Sequence, residues 1–351
     1  MLARLTLLRR LSTTASSHNM LKVCALNAAR LDFDGRVNFD KLTSVAELTR
    51  YETSDPANLD EIVSRVEGCS ADVIINKEMP MSCELIDALP KSVKLICEAG
   101  TGFNNIQLSA AKRNGITVCN IPTYSTEAMA HMAITLVLAQ ACSLVPQIRA
   151  LARGDHTHFD RCHLGAWPHF ELQDKVIGLV GGLGKIGRRV AAIAQAMGMH
   201  VLATSRTAPL GVGAEHGMEV TTLDDLLTRS DFVSIHCPLN EGTRGLIGED
   251  GLRRMKPTAF LVNTSRGAII DEAALVDVLK EGCIAGAGLD VLGEAAAPPP
   301  PPPPDHPLFH LDNVILTPHI GWQRLETRQR VIEQVTKNII AFAEGAPINQ
   351  V

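Results

Sequence analysis

Residues 176–197 constrain the fold more than any other stretch. Val176-Ile-Gly-Leu-Val180 is a short, wholly apolar run; Gly182-Leu183-Gly184-Lys185-Ile186-Gly187 follows, and Val190, Ile193, Ala194 and Met197 then recur at helical spacing. A buried strand, a glycine turn and a helix in that order form one strand-to-helix crossover of a parallel sheet. In such a turn the first glycine permits the tight bend, the second lets the backbone approach a pyrophosphate, and the third lets the helix pack closely. The helix N-terminus then presents its amides to the anion. The glycine pattern alone is weak; the strand before it and the helix after it make it specific.

More apolar runs follow at Val201-Leu-Ala, Phe232-Val-Ser-Ile, Phe260-Leu-Val and Val314-Ile-Leu, each ending in polar or glycine-containing residues. Upstream, from Lys22 to about Pro122, Ala71-Asp-Val-Ile-Ile-Asn, a helical stretch from Cys83 to Leu89 and Val93-Lys-Leu-Ile-Cys repeat the same alternation. Two α/β series in 351 residues imply two lobes, because single cores stop growing beyond roughly 250 to 300 residues. The spacing predicts a buried helix over 128–145, whose His131, Thr135, Gln140 and Ser143 interrupt it too often for a membrane span. One amphipathic helix is expected from Arg324 to the end, packing back on the first lobe.

A formal net charge of -5 gives no reason to expect a nucleic-acid partner, and no membrane partner is expected. Nine scattered cysteines without Cys-x-x-Cys spacing indicate neither a disulfide framework nor a zinc site, and fit a reducing compartment. His156, His158, His163 and His169 match no common metal spacing, so no metal is expected. Residues 1–20 carry Arg4, Arg9 and Arg10, several hydroxyls from Ser12 to Ser17 and no acid, which resembles a mitochondrial presequence. The other reading is an over-extended start upstream of Met20, with a cytoplasmic protein. Ala295 to Pro304, three alanines then seven prolines, reads as an extended surface loop.

Ligands of open parallel sheets bind at the strand carboxyl ends, where Arg206, His236, Arg266 and His319 all lie. About 20 residues after the glycine loop, where a carboxylate would grip a ribose, stands Ser205-Arg206-Thr207. That favours the 2'-phosphate of NADP(H) over NAD(H); the alternative is a solvent-facing arginine. Arg266, after a strand, is placed to hold a carboxylate and polarise a carbonyl. His319 is the candidate proton donor, and Glu294 the carboxylate that would fix its tautomer.

At these residues the chain resembles the D-isomer-specific 2-hydroxyacid dehydrogenases, most closely the glycerate dehydrogenase and hydroxypyruvate reductase branch. The resemblance runs from about Lys22 to Val351 through Gly100-Thr-Gly-Phe-Asn-Asn105, the glycine loop, His236-Cys-Pro-Leu, Val262-Asn-Thr-Ser-Arg-Gly267, Gly288-Leu-Asp-Val291 and Thr317-Pro-His-Ile-Gly-Trp322. It implies an α/β fold of two Rossmann-like, doubly wound parallel-sheet domains: a discontinuous substrate domain, 21–122 plus 323–351, and an NAD(P)-binding domain, 123–322. It also implies a homodimer using the long helix after Pro122. Carried over by position, the Thr101 and Gly102 amides bind the substrate carboxylate with Arg266, and Lys77 adds a second cation. Cys237, Pro238, Thr243, Thr264, Ser265 and Asp290 line the cofactor site, and His319 is the acid. Trp322 after His-Ile-Gly points to a small unphosphorylated 2-oxo acid, hydroxypyruvate or glyoxylate. One departure stands out: the family's glutamate falls one residue later, where this chain has Ala295, so Glu294 serves only if the loop shifts. A formate-type dehydrogenase would carry Gln there and none lies nearby; a non-catalytic NAD(P)-sensing protein is the reading from another class.

Overall fold

The computed structural model describes residues 20–157, 167, 169–214, 217–293 and 302–351. They divide into two compact units. The first takes the described chain up to Gly100, with Ile106–Ile121 and Gln329–Val351; the second takes Thr101–Asn105 and Pro122–Arg328.

The first unit is built on five parallel strands, β1 (Leu21–Ala25), β2 (Ala46–Arg50), β3 (Val73–Asn76), β4 (Leu95–Glu98) and β5 (Thr117–Cys119), in the order β2-β1-β3-β4-β5. Every residue of β3 and β4 is buried, as expected of strands covered on both faces. Helix α1 (Leu59–Gly68) starts where the Asn58 side chain accepts the Glu61 N–H, and seats Ile62 and Val66, one turn apart, in the core. The C-terminal residues add to the sheet: Val351 N–H bonds Val118 O and Asn120 N–H bonds Asn349 O.

The second unit holds eight strands in the order β13-β12-β11-β10-β6-β7-β9-β8. These are β6 (Val176–Val180), β7 (His200–Ala203), β8 (Gly211–Ala214), β9 (Met218–Val220), β10 (Phe232–Ile235), β11 (Phe260–Asn263), β12 (Gly286–Leu289) and β13 (Val314–Leu316). All pair in parallel except β8, which forms an antiparallel edge with β9. Helix α2 (Thr126–Ala141) buries ten residues and covers β11 and β12, so it is apolar nearly all round. It is shorter than expected: Ser143 takes a left-handed φ of 45°, and α3 (Leu144–Ala152) leaves at 65° to α2. The Gln147 side chain bonds the carbonyls of Cys142 and Ser143 at the break. No single helix among the described residues is long and apolar enough to cross a membrane.

Strand β12, Gly-Ala-Gly-Leu, has no apolar alternation to announce it. Its glycines are required by close packing, since a Cβ on Gly286 would sit 2.4 Å from Asn313 O and one on Gly288 3.0 Å from Leu136 Cβ. On the same face Phe232 and Phe260 stack at 5.5 Å, flanked by Phe170.

Candidate active site

The sheet order of the second unit sets the site. Strand β6 leads through α4 (Lys185–Ala196) to β7 on one side, and the chain later returns through β10 on the other. The crevice of such a sheet opens where the connections diverge, here between β6 and β10. Gly181 closes that junction with φ +79°, and a Cβ on it would lie 2.8 Å from Cys237 Cβ. The tight bend is therefore made by Gly181, one residue before the motif, not by Gly182. Gly182 is needed for packing: its Cβ would meet Leu179 Cβ at 2.7 Å and Ala203 Cβ at 2.9 Å. Gly187 lets the helix rest on the turn, since a Cβ there would be 2.4 Å from Gly182 O.

Gly184 differs from these three. The nearest protein atom to its Cβ would be Gly181 O at 3.5 Å, an ordinary contact, and Gly184 and Lys185 are exposed while Gly182 and Gly187 are buried. Among the described residues nothing demands glycine at that crest, and a backbone bare of side chain there suits close approach by a pyrophosphate. Gly184 is also the N-cap of α4 and brings no capping side chain, so the first-turn amides, including those of Lys185 and Ile186, would be available to such an anion. The residues fit the nicotinamide dinucleotide that the sequence implies.

Past β7, the Ser205 oxygen accepts the N–H groups of Thr207 and Ala208, folding a small turn that leaves Arg206 exposed. Across the junction, His236 N–H bonds Val180 O, and its ring contacts Ser234 Oγ at 2.9 Å. Burial pushes the His236 imidazole down to about 4 and the Cys237 thiol up to about 11, the latter eased by the nearby Arg206 charge. Thr243 folds the following turn, donating to Pro238 O and accepting the Asn240 N–H, and Ser265 Oγ–H donates to Cys237 O at 2.6 Å. Thr264 is buried beside it.

Arg266 leaves the end of β11 in a turn organised by Asn263. This fully buried amide donates to Arg266 O at 2.9 Å and accepts the Ser265 N–H at 2.9 Å. The guanidinium donates to Ser265 O and lies against Gly102, where a Cβ would fall 2.2 Å from Nη2. A side chain at position 102 would push the guanidinium aside. The segment Thr101–Asn105 is further tied to this unit by Asn104, whose amide donates to Leu239 O. Thr101, Gly102 and Arg266 are thus brought together: two loop amides beside a fixed cation.

His319 follows β13, two strands along the same edge. It is half-buried with φ +55°, an uncommon conformation for a non-glycine residue that persists only when its surroundings enforce it. Asp290, fully buried after β12, does so: it accepts the Thr317 Oγ1–H at 2.6 Å and the N–H groups of Ile320 and Gly321 at 3.0 Å. Both carboxylate oxygens are engaged on either side of His319, so Asp290 shapes the histidine loop. The Thr243 hydroxyl is engaged inside its own turn. Lys77 belongs to the first unit, 1% exposed, with Nζ 2.8 Å from Glu78 Oε1, so its charge is already paired. Glu294, with His158 and His163, lies outside the described residues.

Along the carboxyl edge the order is therefore Arg206 after β7, the glycine crest after β6, Cys237 after β10, Arg266 after β11 and His319 after β13. From β6 to β13 is four strand spacings, roughly 19 Å. An extended ligand can lie with its anionic middle on the crest and its reactive end beside the arginine and histidine. Gly181, Asn263 and Asn104 were not singled out from sequence; the doubled glycine and the asparagine opening Asn-Thr-Ser-Arg-Gly were their only signals.

Comparison with known proteins identifies the family. The model of the D-isomer specific 2-hydroxyacid dehydrogenase NAD-binding domain matches residues 136–321. The chain belongs to the D-2-hydroxyacid dehydrogenase family. It is 39% identical over 305 residues to a glyoxylate reductase of Korarchaeum cryptofilum, covering 87% of this chain and 89% of that one. It is 34% identical to a hydroxypyruvate reductase of Blautia hydrogenotrophica, covering 93% and 96%. The structure of a glyoxylate reductase from Paecilomyes thermophila superposes with a TM-score of 0.78 at 30% identity, covering 95% and 99%. The chain is thus a nicotinamide-dependent oxidoreductase with the two-sheet α/β fold of that family.

Proposed function

We propose that this dehydrogenase reduces a small unphosphorylated 2-oxo acid, glyoxylate or hydroxypyruvate, to the D-2-hydroxy acid, with NADPH preferred to NADH. The observation that carries it is the Arg266 guanidinium seated against Gly102, a cation beside bare loop backbone that suits a carboxylate anchor. The bound nicotinamide supplies the hydride that reaches the carbonyl carbon. Arg266 and the Thr101 and Gly102 amides hold the substrate carboxylate and turn the carbonyl toward that edge. His319 gives its proton to the carbonyl oxygen as charge develops there, so one hydride and one proton are added to the C=O bond. Glu294, where it reaches the imidazole, keeps the acid form available. The names of the relatives support the substrate class.

Exposed Arg206, with the Ser205 turn and no carboxylate at the end of β7, supports the NADPH preference. The remaining parts of the reading are a substrate-binding first unit, a cofactor-binding second unit and a homodimer, the last supported by exposed Leu138, Leu144, Ile148 and Leu151 on α2 and α3. A mitochondrial location, supported by the basic, acid-free first 20 residues, completes it. Steady-state rates with glyoxylate and hydroxypyruvate, each with NADPH and NADH, test it. Turnover with NADPH is expected, and Arg206→Ala should narrow the NADPH preference about tenfold or more. No turnover with either acid, or an unchanged preference in the variant, refutes the corresponding half.

A further inference from the structure

Glu272 is the first residue of α6 (Glu272–Lys280; α5 is Leu223–Arg229), whose N-cap is Asp271. A carboxylate at that place favours the helix dipole, and that would suffice to explain it. Its two oxygens, however, are both directed elsewhere. Oε2 accepts the Gly293 N–H at 2.8 Å, and Oε1 lies 3.1 Å from His306 Nε2. His306 Nδ1 accepts the Leu308 N–H, which leaves the proton on Nε2, aimed at Glu272. The clasp thus joins the residue before the alanine and proline run to one that follows it.

The peptide it holds is the seat of the Arg266 turn. A Cβ on Gly267 would lie 2.6 Å from Leu292 C and 2.7 to 2.8 Å from Gly293 O and N, so the backbone next to Arg266 rests directly on Leu292–Gly293. Asn263 fixes that turn from above and the Leu292–Gly293 peptide from below. Glu272 Oε2 accepts the N–H of that peptide.

We propose that Glu272 is a positioning residue for Arg266: it anchors Gly293 under Gly267, and His306 aims its carboxylate. This rests on the reading of Arg266 as the carboxylate anchor. Loss of the anchor lets the turn settle and moves the guanidinium relative to Gly102, and displacements near 1 Å at such groups cost up to about 100-fold.

The test is the steady-state KM and kcat for the 2-oxo acid, with cofactor Kd by fluorescence titration, in wild type, Glu272→Ala, Glu272→Gln and His306→Ala. Glu272→Ala should raise KM about tenfold to a hundredfold with cofactor Kd within twofold of wild type. Glu272→Gln, which keeps an acceptor for Gly293 while removing the charge, should recover most of that loss. His306→Ala should raise KM in the same direction by a smaller factor, and keeps the test open if Glu272→Ala fails to fold. Wild-type KM in both Glu272→Ala and His306→Ala, equal defects in the Ala and Gln variants, or a cofactor Kd weakened by the same factor as KM would overturn the proposal. Absence of turnover in the wild type would instead overturn the substrate reading.

Discussion

The molecule contains two doubly wound sheets that reverse direction at the same kind of junction, and the residues that follow the central strand differ between them. In the first unit the reversal lies between β1 and β3, and it is sewn shut. Asn27 accepts the Lys77 N–H and donates to Lys77 O, and Leu26 N–H bonds Ile75 O. In the second unit the bond from His236 N–H to Val180 O is followed at once by Gly181, and the chain rises to an exposed glycine crest. The topology offers a crevice in both units, and the residues right after the central strand shape it differently. Leu26-Asn27-Ala28 lines it with a side-chain amide, and Gly181-Gly182-Leu183-Gly184 carries the chain without side-chain bulk to an exposed crest at the start of α4.

The contrast can be broken most decisively at the reactive end. His319→Asn should lower kcat about 10²- to 10⁴-fold with little change in cofactor affinity, measured by stopped-flow reduction and cofactor titration. A kcat within tenfold of wild type would remove the second sheet's edge as the source of the proton. Next come the glycines. Gly187→Ala should destabilise the unit by about 2 to 3 kcal/mol, because its methyl would overlap Gly182 O. Gly184→Ala should leave the melting temperature unchanged while weakening cofactor binding about tenfold. Equal melting losses in the two would mean that the crest is glycine for packing and not for a ligand.

His236 sharpens the electrostatic side of the junction. Its folded pKa of about 4 lies below the usual value of roughly 6.5, so the unfolded chain takes up a proton that the folded protein refuses. Stability is complete above about pH 6.5 and falls as pH drops toward 4. With the ring part-exposed, the loss is on the order of 2 kcal/mol. His236→Asn should flatten that limb in a urea titration across the window; an unaltered slope would place the group in water. The smallest effect belongs to the closed junction: Asn27→Ala should cost about 1 to 2 kcal/mol and leave cofactor Kd untouched.

Much of this was legible beforehand because backbone demands and periodicity write themselves into residue types. The apolar runs of β3, β6, β10 and β11 and the Gly-x-Gly turn could not serve many other purposes. Gly286-Ala-Gly-Leu escaped because a strand packed against Leu136 and Asn313 must be small, and small residues resemble a loop. At the site, Arg266 and His319 were visible as chemical groups in recognisable strings. Their supports were not: Asn263 and Asp290 act through hydrogen bonds to backbone at φ values that sequence does not print. Asp290 was noticed, but its bonds to the histidine loop were not legible, since a buried carboxylate reads the same whether it faces a ligand or its own chain.

Helix α2 and the residues leading into it touch that part of the site at three places. Leu136 meets the backbone of Gly288 two residues before Asp290, a Cβ on Gly321 would find Met129 Sδ at 3.1 Å, and Tyr124, just ahead of the helix, meets Trp322 edge-on at 6.5 Å. The strand that supplies the aspartate and the loop that carries the histidine are therefore indexed against one rigid rod. The proton donor inherits its alignment from the rod, so a volume change at Leu136 or Met129, without contact with any reacting group, would detune the donor as a bent rail detunes a carriage.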